Sequence, residues 1–430
     1  MGNPFRVIIV GAGPTGLAVG NMLAAAHVDF VILEQHKQVV TDSGACIMLW
    51  PHTARILDQL GLLEAARRSS LGLHSKGTID ASGRQLSHDP TFDWIRENHG
   101  YPVVHLPRTQ LTELLFNGLE KHWPNIKTSS SISTIDVDED GVSVTLSNGD
   151  VEKGSIIIGC DGVHSQVRKI MNNIASIDGV PVEESPQVTT FQCLFGTGLP
   201  VPNLEQGVFW ESHGSGIATQ FGVSGSGSLS AFSLFRRLDK PVEENRAYNT
   251  EDVAQFFESS GEVFIAPELQ IKDLQKYCKW TRLAGQPEGC AKLWHHGRIV
   301  LCGESAVQMT SVAGMGFNVA LQSAVFLVNR IYETIQANPN PGIEAITKAF
   351  SEYQLTREPE TMATKDMSAT YVRAVTWSSF IEKLVIEYLV PWVWGEKGMM
   401  KKLGVEMISQ GRKLSFIPYD DECGTIPWAK

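Results

Sequence analysis

The chain has 430 residues, 43% hydrophobic and 19% charged, with a formal net charge of −11. That length exceeds one ordinary core and predicts two closely packed domains, and the acidity argues against nucleic acid or an anionic membrane as the main partner. Seven cysteines, at 46, 160, 193, 278, 290, 302 and 423, show no C-x-x-C spacing, so neither a zinc site nor a disulfide framework is expected, and a reducing, cytoplasmic setting fits best.

The first element is a strand, Arg6 to Val10, apolar and β-branched as suits burial on both faces. Gly11, Gly13 and Gly16 follow in G-x-G-x-x-G spacing. The first glycine permits a tight turn, the second lets backbone approach a pyrophosphate, and the third lets helix and strand pack closely. The helix behind them aims N–H groups and the positive end of its dipole at that phosphate. A second strand, Phe30 to Leu33, ends on Glu34, eighteen positions after Gly16, where a carboxylate can bond a ribose hydroxyl. The turn, the helix and the acid together predict a dinucleotide site.

After a polar connector, Gly44 and Ala45 are small enough to let a flat ring approach the backbone, and a helix over 54–60 has Ile56, Leu57 and Leu60 at core spacing. Arg55 reads as a solvated residue of that helix. The segment 69–93 alternates around a turn at Asp80 to Gly83, a hairpin pattern. Arg108 stands at the start of a helix, where a guanidinium can bridge phosphates. A meander is predicted over 132–137, 142–146 and 151–158, the last strand running into Gly159-Cys-Asp-Gly162 and placing Asp161 at a strand's C-terminal edge, where open α/β folds bind ligands.

From about Glu183 to Arg282 the chain is rich in Phe, Ser and Gly, which predicts a large antiparallel sheet sheltering an apolar ligand, with a helix over 250–260. A buried strand before Glu304 and the glycine-rich helix start Gly314 to Asn318 then return to the nucleotide fold. Two or three helices close the chain. No uncharged apolar run reaches the roughly 18 residues of a membrane span, and no secretory signal is expected. The segment 380–394 carries Glu382, Lys383, Glu387 and Pro391, and reads as an amphipathic helix packed on the protein that could otherwise rest on a membrane surface.

In this order, GAGPTG…E, GCDGVHSQVR and GES…GMGFN resemble the single-component FAD-dependent aromatic hydroxylases over nearly the whole chain. The stretches GACIMLWPHTARILDQLG, FQCLFG, FSLFRRLDKP, WHHGRIVLCGESAVQMT and LSFIPYDDECGTIPW are similar to the fungal paxilline-type branch of natural-product epoxidases. The resemblance implies an α/β fold. In it a Rossmann-like FAD-binding domain (1–70, 101–180, 286–340) is interleaved with a mostly antiparallel substrate sheet (71–100, 181–285) and followed by a helical region (341–430).

It further implies that Gly11, Gly13 and Gly16 hold the FAD pyrophosphate, Glu34 the adenosine ribose and Arg108 the nucleotide. Gly44, Ala45 and Met48 would line the flavin, and Asp161 would serve FAD and the nicotinamide donor. Glu304 would reach the ribityl and pyrophosphate region. Gly316, Phe317 and Asn318 would bring a helix N-terminus to the pyrimidine ring, near N1. Glu304, Val307 and Ser311 depart from the family's Asp, His and Pro; Met48 and His52 depart from its frequent Gly and Asn; and FQCLFG lacks the arginine of some relatives.

The activity implied is transfer of one oxygen atom from O2 to an apolar terpenoid-type substrate at the expense of NADPH or NADH. No tyrosine-plus-base pair is visible in the middle sheet, which favours epoxidation or oxidation of an unactivated ring over attack on a phenol. Two other readings stand beside it: a flavin-binding but non-oxidative cyclase or isomerase, and a non-enzymatic binding protein of the GDP-dissociation-inhibitor type.

Overall fold

The computed structural model describes residues 5–41, 45–182, 187–224, 229–243, 246–386 and 405–429. Strand β1 (Arg6–Val10) runs into helix α1 (Pro14–Ala25) and strand β2 (Asp29–Leu33). The residues of β1 beyond Arg6 are buried, as a strand covered on both faces requires. It lies at the centre of a six-stranded sheet. Strands Ile156–Gly159 and Ile299–Leu301 flank it on one side, β2 and Ile126–Lys127 on the other, all parallel; only the edge strand His295–His296 is antiparallel.

The predicted 151–158 strand is two strands. Val151–Gly154 closes a three-stranded antiparallel meander, and after Ser155 the strand Ile156–Gly159 joins the parallel sheet beside β1. Ser155 accounts for the break: its N–H donates to Arg6 O at 2.7 Å, and its hydroxyl accepts from Arg6 N at 3.1 Å. An unbroken apolar run hides such a change of partner.

A second, eight-stranded sheet is antiparallel at every pairing but one, that of Val208–His213 with Ser75–Asp80. Period-2 alternation gives it two faces. One packs on the helix Thr250–Ser260 through Leu194, Trp210, Phe221 and Leu234. In register on the other are Lys76 opposite Phe209, Glu211 opposite Gln220, and Gln220 opposite Ser233. That face looks toward the nucleotide fold. Strand β3 (Cys46–Leu49) and helix α2 (Pro51–Gln59) lie between the sheets and against the 22-residue helix Gly316–Ala337. A 33-residue helix, Ile343–Val375, spans both layers.

Residues 411–429 strap α2. Arg55 is 1% exposed, which overturns its reading as a solvated residue. Its guanidinium grips Asp421 with two bonds (2.5 and 2.7 Å), donates to Gly411 O at 2.7 Å, and packs 4.5 Å from the centroid of the Trp428 ring. Of the 380–394 segment, residues 387–394 lie outside the described residues; Phe380 and Ile381 are 72% and 73% exposed. Among the described residues no helix is long and apolar enough to cross a membrane.

Candidate active site

The glycine turn is forced by close backbone packing. Gly11 has φ +102°, and a Cβ on it would lie 2.6 Å from Cys160 O. A Cβ on Gly16 would lie 1.9 Å from Gly11 O. At Gly13, which precedes α1, a Cβ would meet nothing within 4 Å. The helix begins with Pro14, has no acid in its first turn and receives no capping side chain from Gly13, so its N-terminal N–H groups are left for something that sits over this space. Glu34, buried at the tip of β2, accepts from Ala12 N and His36 N, both at 2.8 Å. Each carboxylate oxygen takes one backbone bond and retains acceptor capacity for a ribose hydroxyl.

Two other loops face this turn. A Cβ on Gly303 (φ +77°) would lie 3.0 Å from the Thr15 side chain, so the turn carrying Glu304 sits against the start of α1. The Glu304 side chain is exposed. Asp161 adjoins Gly11, but its carboxylate is used locally: it accepts from Ser165 Oγ at 2.6 Å and Val167 N at 3.0 Å, and so holds the start of the helix Gln166–Ile177. Arg168 ties the two loops together by donating to Ser305 O at 2.6 Å and Val163 O at 2.8 Å.

Toward the second sheet lies another uncapped helix start. The helix Gly316–Ala337 has no side-chain cap, and Gly316 has open space where a Cβ would be. Phe317 is partly buried against the core. Asn318 is fully buried and spent on the backbone: Oδ1 accepts from Trp50 N at 2.8 Å, and Nδ2 donates to Met48 O at 2.8 Å and Gly314 O at 2.7 Å. It stitches β3 to the helix start, so any role toward a ring belongs to the backbone there. Ala45 O accepts from Arg108 N at 3.0 Å; the Arg108 side chain is exposed and has no partner among the described residues. Gly44 lies outside the described residues.

Beside Met48 and Gly314 opens a cavity of about 250 Å³. Phe195, Phe209 and Phe232 of the eight-stranded sheet form one wall, Met315 and Val312 another, and Met367 and Tyr371 of the long helix a third. One polar cluster interrupts these walls. Glu211, 2% exposed, accepts from Tyr371 Oη and from His213 Nε2 (2.7 Å) at Oε1, and from Gln220 Nε2 at 3.3 Å at Oε2. Lys76 Nζ lies 3.7 Å from Oε1 and donates to Tyr371 Oη at 3.4 Å. Burial pushes the Glu211 carboxyl up, but the Lys76 ammonium and the His213 and Tyr371 bonds outweigh it and hold the group well below the usual carboxylate range. Burial and the Glu211 charge push the Tyr371 phenol up. No tyrosine-plus-base pair is visible in the sequence of the middle sheet, and the structure forms one between that sheet and a helix. Glu211 is on the middle sheet and its partner comes from a helix 160 residues later, so no sequence window contains both. The available signal was one acid in an aromatic strand, VFWESH.

His105 lines the same cavity, and burial lowers its pKa to about 4; burial, then Arg357 and His99, lowers that of His52 to about 3. Both stay neutral in the folded state, whereas the unfolded chain protonates near the ordinary 6.5. Their stabilisation is therefore complete above pH 6.5 and is lost as the pH falls toward 4. For His105 the loss is about 3 kcal/mol. Urea midpoints measured from pH 7 to 4.5 are expected to fall steeply, and His105→Phe removes its share. Glu211 loses its contribution only below the ordinary carboxylate range, so it leaves this window clear.

Two uncapped helix starts, one over a glycine turn beside a buried acid and one over an apolar cavity, define a dinucleotide-binding protein of the flavoprotein class. The residues fit FAD: Gly13 and Gly316 leave cradles that a side chain would fill, and Glu34 and Arg108 keep hydrogen-bonding capacity. The FAD binding domain family matches residues 5–345. FAD-dependent monooxygenase srdH of Neurospora crassa is 31% identical across 99% of both chains, and FAD-dependent monooxygenase ausM of Penicillium brasilianum is 27% identical over 97% of this chain and 88% of its own. HpxO of Klebsiella pneumoniae, solved with FAD and uric acid, shares the fold with a TM-score of 0.74 at 17% identity, over 94% of this chain and 96% of that one. The chain belongs to the FAD-dependent monooxygenases.

Proposed function

We propose that this monooxygenase transfers one oxygen atom from O2 to a hydrophobic secondary-metabolite intermediate, a terpenoid-bearing polycycle, with NADPH or NADH as reductant. The observation that carries this reading is the phenylalanine- and methionine-walled cavity opening against Gly314, where the uncapped helix start would meet a flavin ring. The relatives srdH and ausM, each named an FAD-dependent monooxygenase, support the oxygen-transfer part of it.

In this reading the backbone at Gly11, Gly13 and Gly16 holds the FAD pyrophosphate and Glu34 the adenosine ribose, with Arg108 on the nucleotide. Asp161 keeps the adjacent turn in shape. Glu304 reaches the ribityl and pyrophosphate region. Gly44, Ala45 and Met48 line the ring, and the N–H groups at Gly316 to Asn318 stabilise negative charge on it. FAD, when bound, accepts a hydride from the nicotinamide and supplies the oxygen-transfer chemistry. The chain's own part is to orient the substrate and keep water out, which Phe195, Phe209, Phe232 and Met315 do by lining the cavity.

Over one turnover, substrate, O2, NAD(P)H and a proton give oxygenated product, NAD(P)+ and water. The purified holoenzyme is expected to bleach its flavin bands with NADPH or NADH and to place one atom of 18O2 in a prenylated indole or meroterpenoid product. Turnover of such a substrate without NAD(P)H and without 18O uptake would replace this reading with a non-oxidative cyclase. A protein that takes up no FAD at all would leave only a binding role.

A further inference from the structure

We propose that Glu211 is the polar anchor of the substrate cavity, and that the substrate carries a hydrogen-bond donor (a hydroxyl or ring N–H) that it delivers to Glu211 Oε2. The proposal deepens the function proposed above and rests on it.

A buried carboxylate is costly unless all its lone pairs are used. At Glu211 the partners are distributed unevenly. Oε1 takes the Tyr371 hydroxyl and His213 Nε2, with Lys76 Nζ 3.7 Å away. Among the described residues Oε2 takes only Gln220 Nε2, at 3.3 Å, and that amide donates also to Val312 O at 2.6 Å. An ionised carboxylate oxygen accepts two bonds, so Oε2 has room for another donor. Glu211, Lys76, Gln220 and Tyr371 all line the cavity. The strand register places Glu211 between Thr78 and Gln220 at one level of the sheet, with Phe209 two residues before it on the same face. Among the described residues that line the cavity, Glu211 is the one carboxylate, and it stands beside Lys76, Gln220 and Tyr371 among largely aromatic and methionine walls.

The geometry also gives the effect of Glu211→Gln. Oε1 already receives two donors, so the carbonyl of the substituted amide takes that place and its NH2 group takes the place of Oε2, where Gln220 Nε2 loses this acceptor and keeps its bond to Val312 O. The site then changes from accepting a hydrogen bond to donating one.

The test uses two probes of one shape, 2-farnesylphenol and its methyl ether, titrated into the FAD-loaded protein and followed by the flavin difference spectrum. The wild type is expected to bind the phenol at least about tenfold more tightly, a difference of roughly one hydrogen bond to a charged group. Glu211→Gln is expected to erase or invert that preference, with Tm and flavin content reporting that the variant is folded. Tyr371→Phe removes a donor from Oε1, leaves Oε2 in place and is expected to keep the preference. Equal binding of phenol and ether by the wild type overturns the anchor without any variant. Loss of the preference in Tyr371→Phe with retention in Glu211→Gln also overturns it, assigning the anchor to the tyrosine. Failure of both probes to bind a flavin-loaded protein that still oxidises NADPH overturns the apolar-substrate reading, and the anchor with it.

Discussion

Gly13→Val gives a folded protein without flavin, whereas Gly16→Val gives no folded protein. The two positions are three residues apart in one motif, yet their surroundings differ. Gly13 has φ −70° and ψ 176°, which any residue adopts, and a Cβ there meets nothing within 4 Å. Valine therefore costs the fold little, but its branches occupy the space through which a pyrophosphate must approach the N–H groups of α1. FAD affinity is expected to fall by about a hundredfold or more, roughly 2.7 kcal/mol. At Gly16 the added atom would lie 1.9 Å from a carbonyl oxygen of the same turn, and backbone cannot yield as a side-chain tip can. The ratio of flavin to protein absorbance and the thermal transition measure both outcomes. Full flavin content in folded Gly13→Val would show that the cofactor does not lie over this turn.

Arg55→Ala carries the second large effect. The guanidinium is 1% exposed, and its partner Asp421 keeps 21% of its side chain exposed, so Asp421 regains some water when the pair is broken. Truncating one member of a buried pair costs about 3–5 kcal/mol, and the lower end applies here. The Trp428 ring also loses its cationic neighbour, and Gly411 O loses its donor. Arg55→Lys is not expected to rescue, because one ammonium cannot serve two carboxylate oxygens, a carbonyl and a ring face together. Urea unfolding gives the magnitude, and early proteolytic cleavage within 411–429 gives the location. A loss under about 1 kcal/mol would mean that the strap is held by its apolar contacts alone.

The two cases mark what the sequence makes legible. The glycine turn, β2 and Glu34 could be read because every requirement of that motif falls within thirty residues. The alternating Phe-rich runs of the middle region likewise predicted a sheet, because period 2 is local. Arg55 could not be read: an arginine in a helix looks solvated until Asp421, 366 residues away, is placed beside it. Asp161 and Asn318 were found as members of motifs, but their side chains serve the backbone, and no spacing distinguishes a residue that touches a ligand from one that shapes the loop touching it. The Glu211–Tyr371 pair was hidden for the same reason as Arg55: its members are 160 residues apart.

The central sheet has a consequence for how the protein comes to exist. Its four inner strands come from residues 29–33, 6–10, 156–159 and 299–301, so Ile156–Gly159, the strand beside β1, cannot acquire its second flanking strand until roughly three hundred residues are available. Such distant parallel pairings close large loops before they gain contacts, which makes folding slow and leaves unpaired apolar edges in the interval. A fragment ending before Ile299 would present Ile156–Gly159 as an open hydrophobic edge, a template for self-association. Yield from a host should therefore respond to slower synthesis, lower temperature and chaperone supply far more than to surface substitutions.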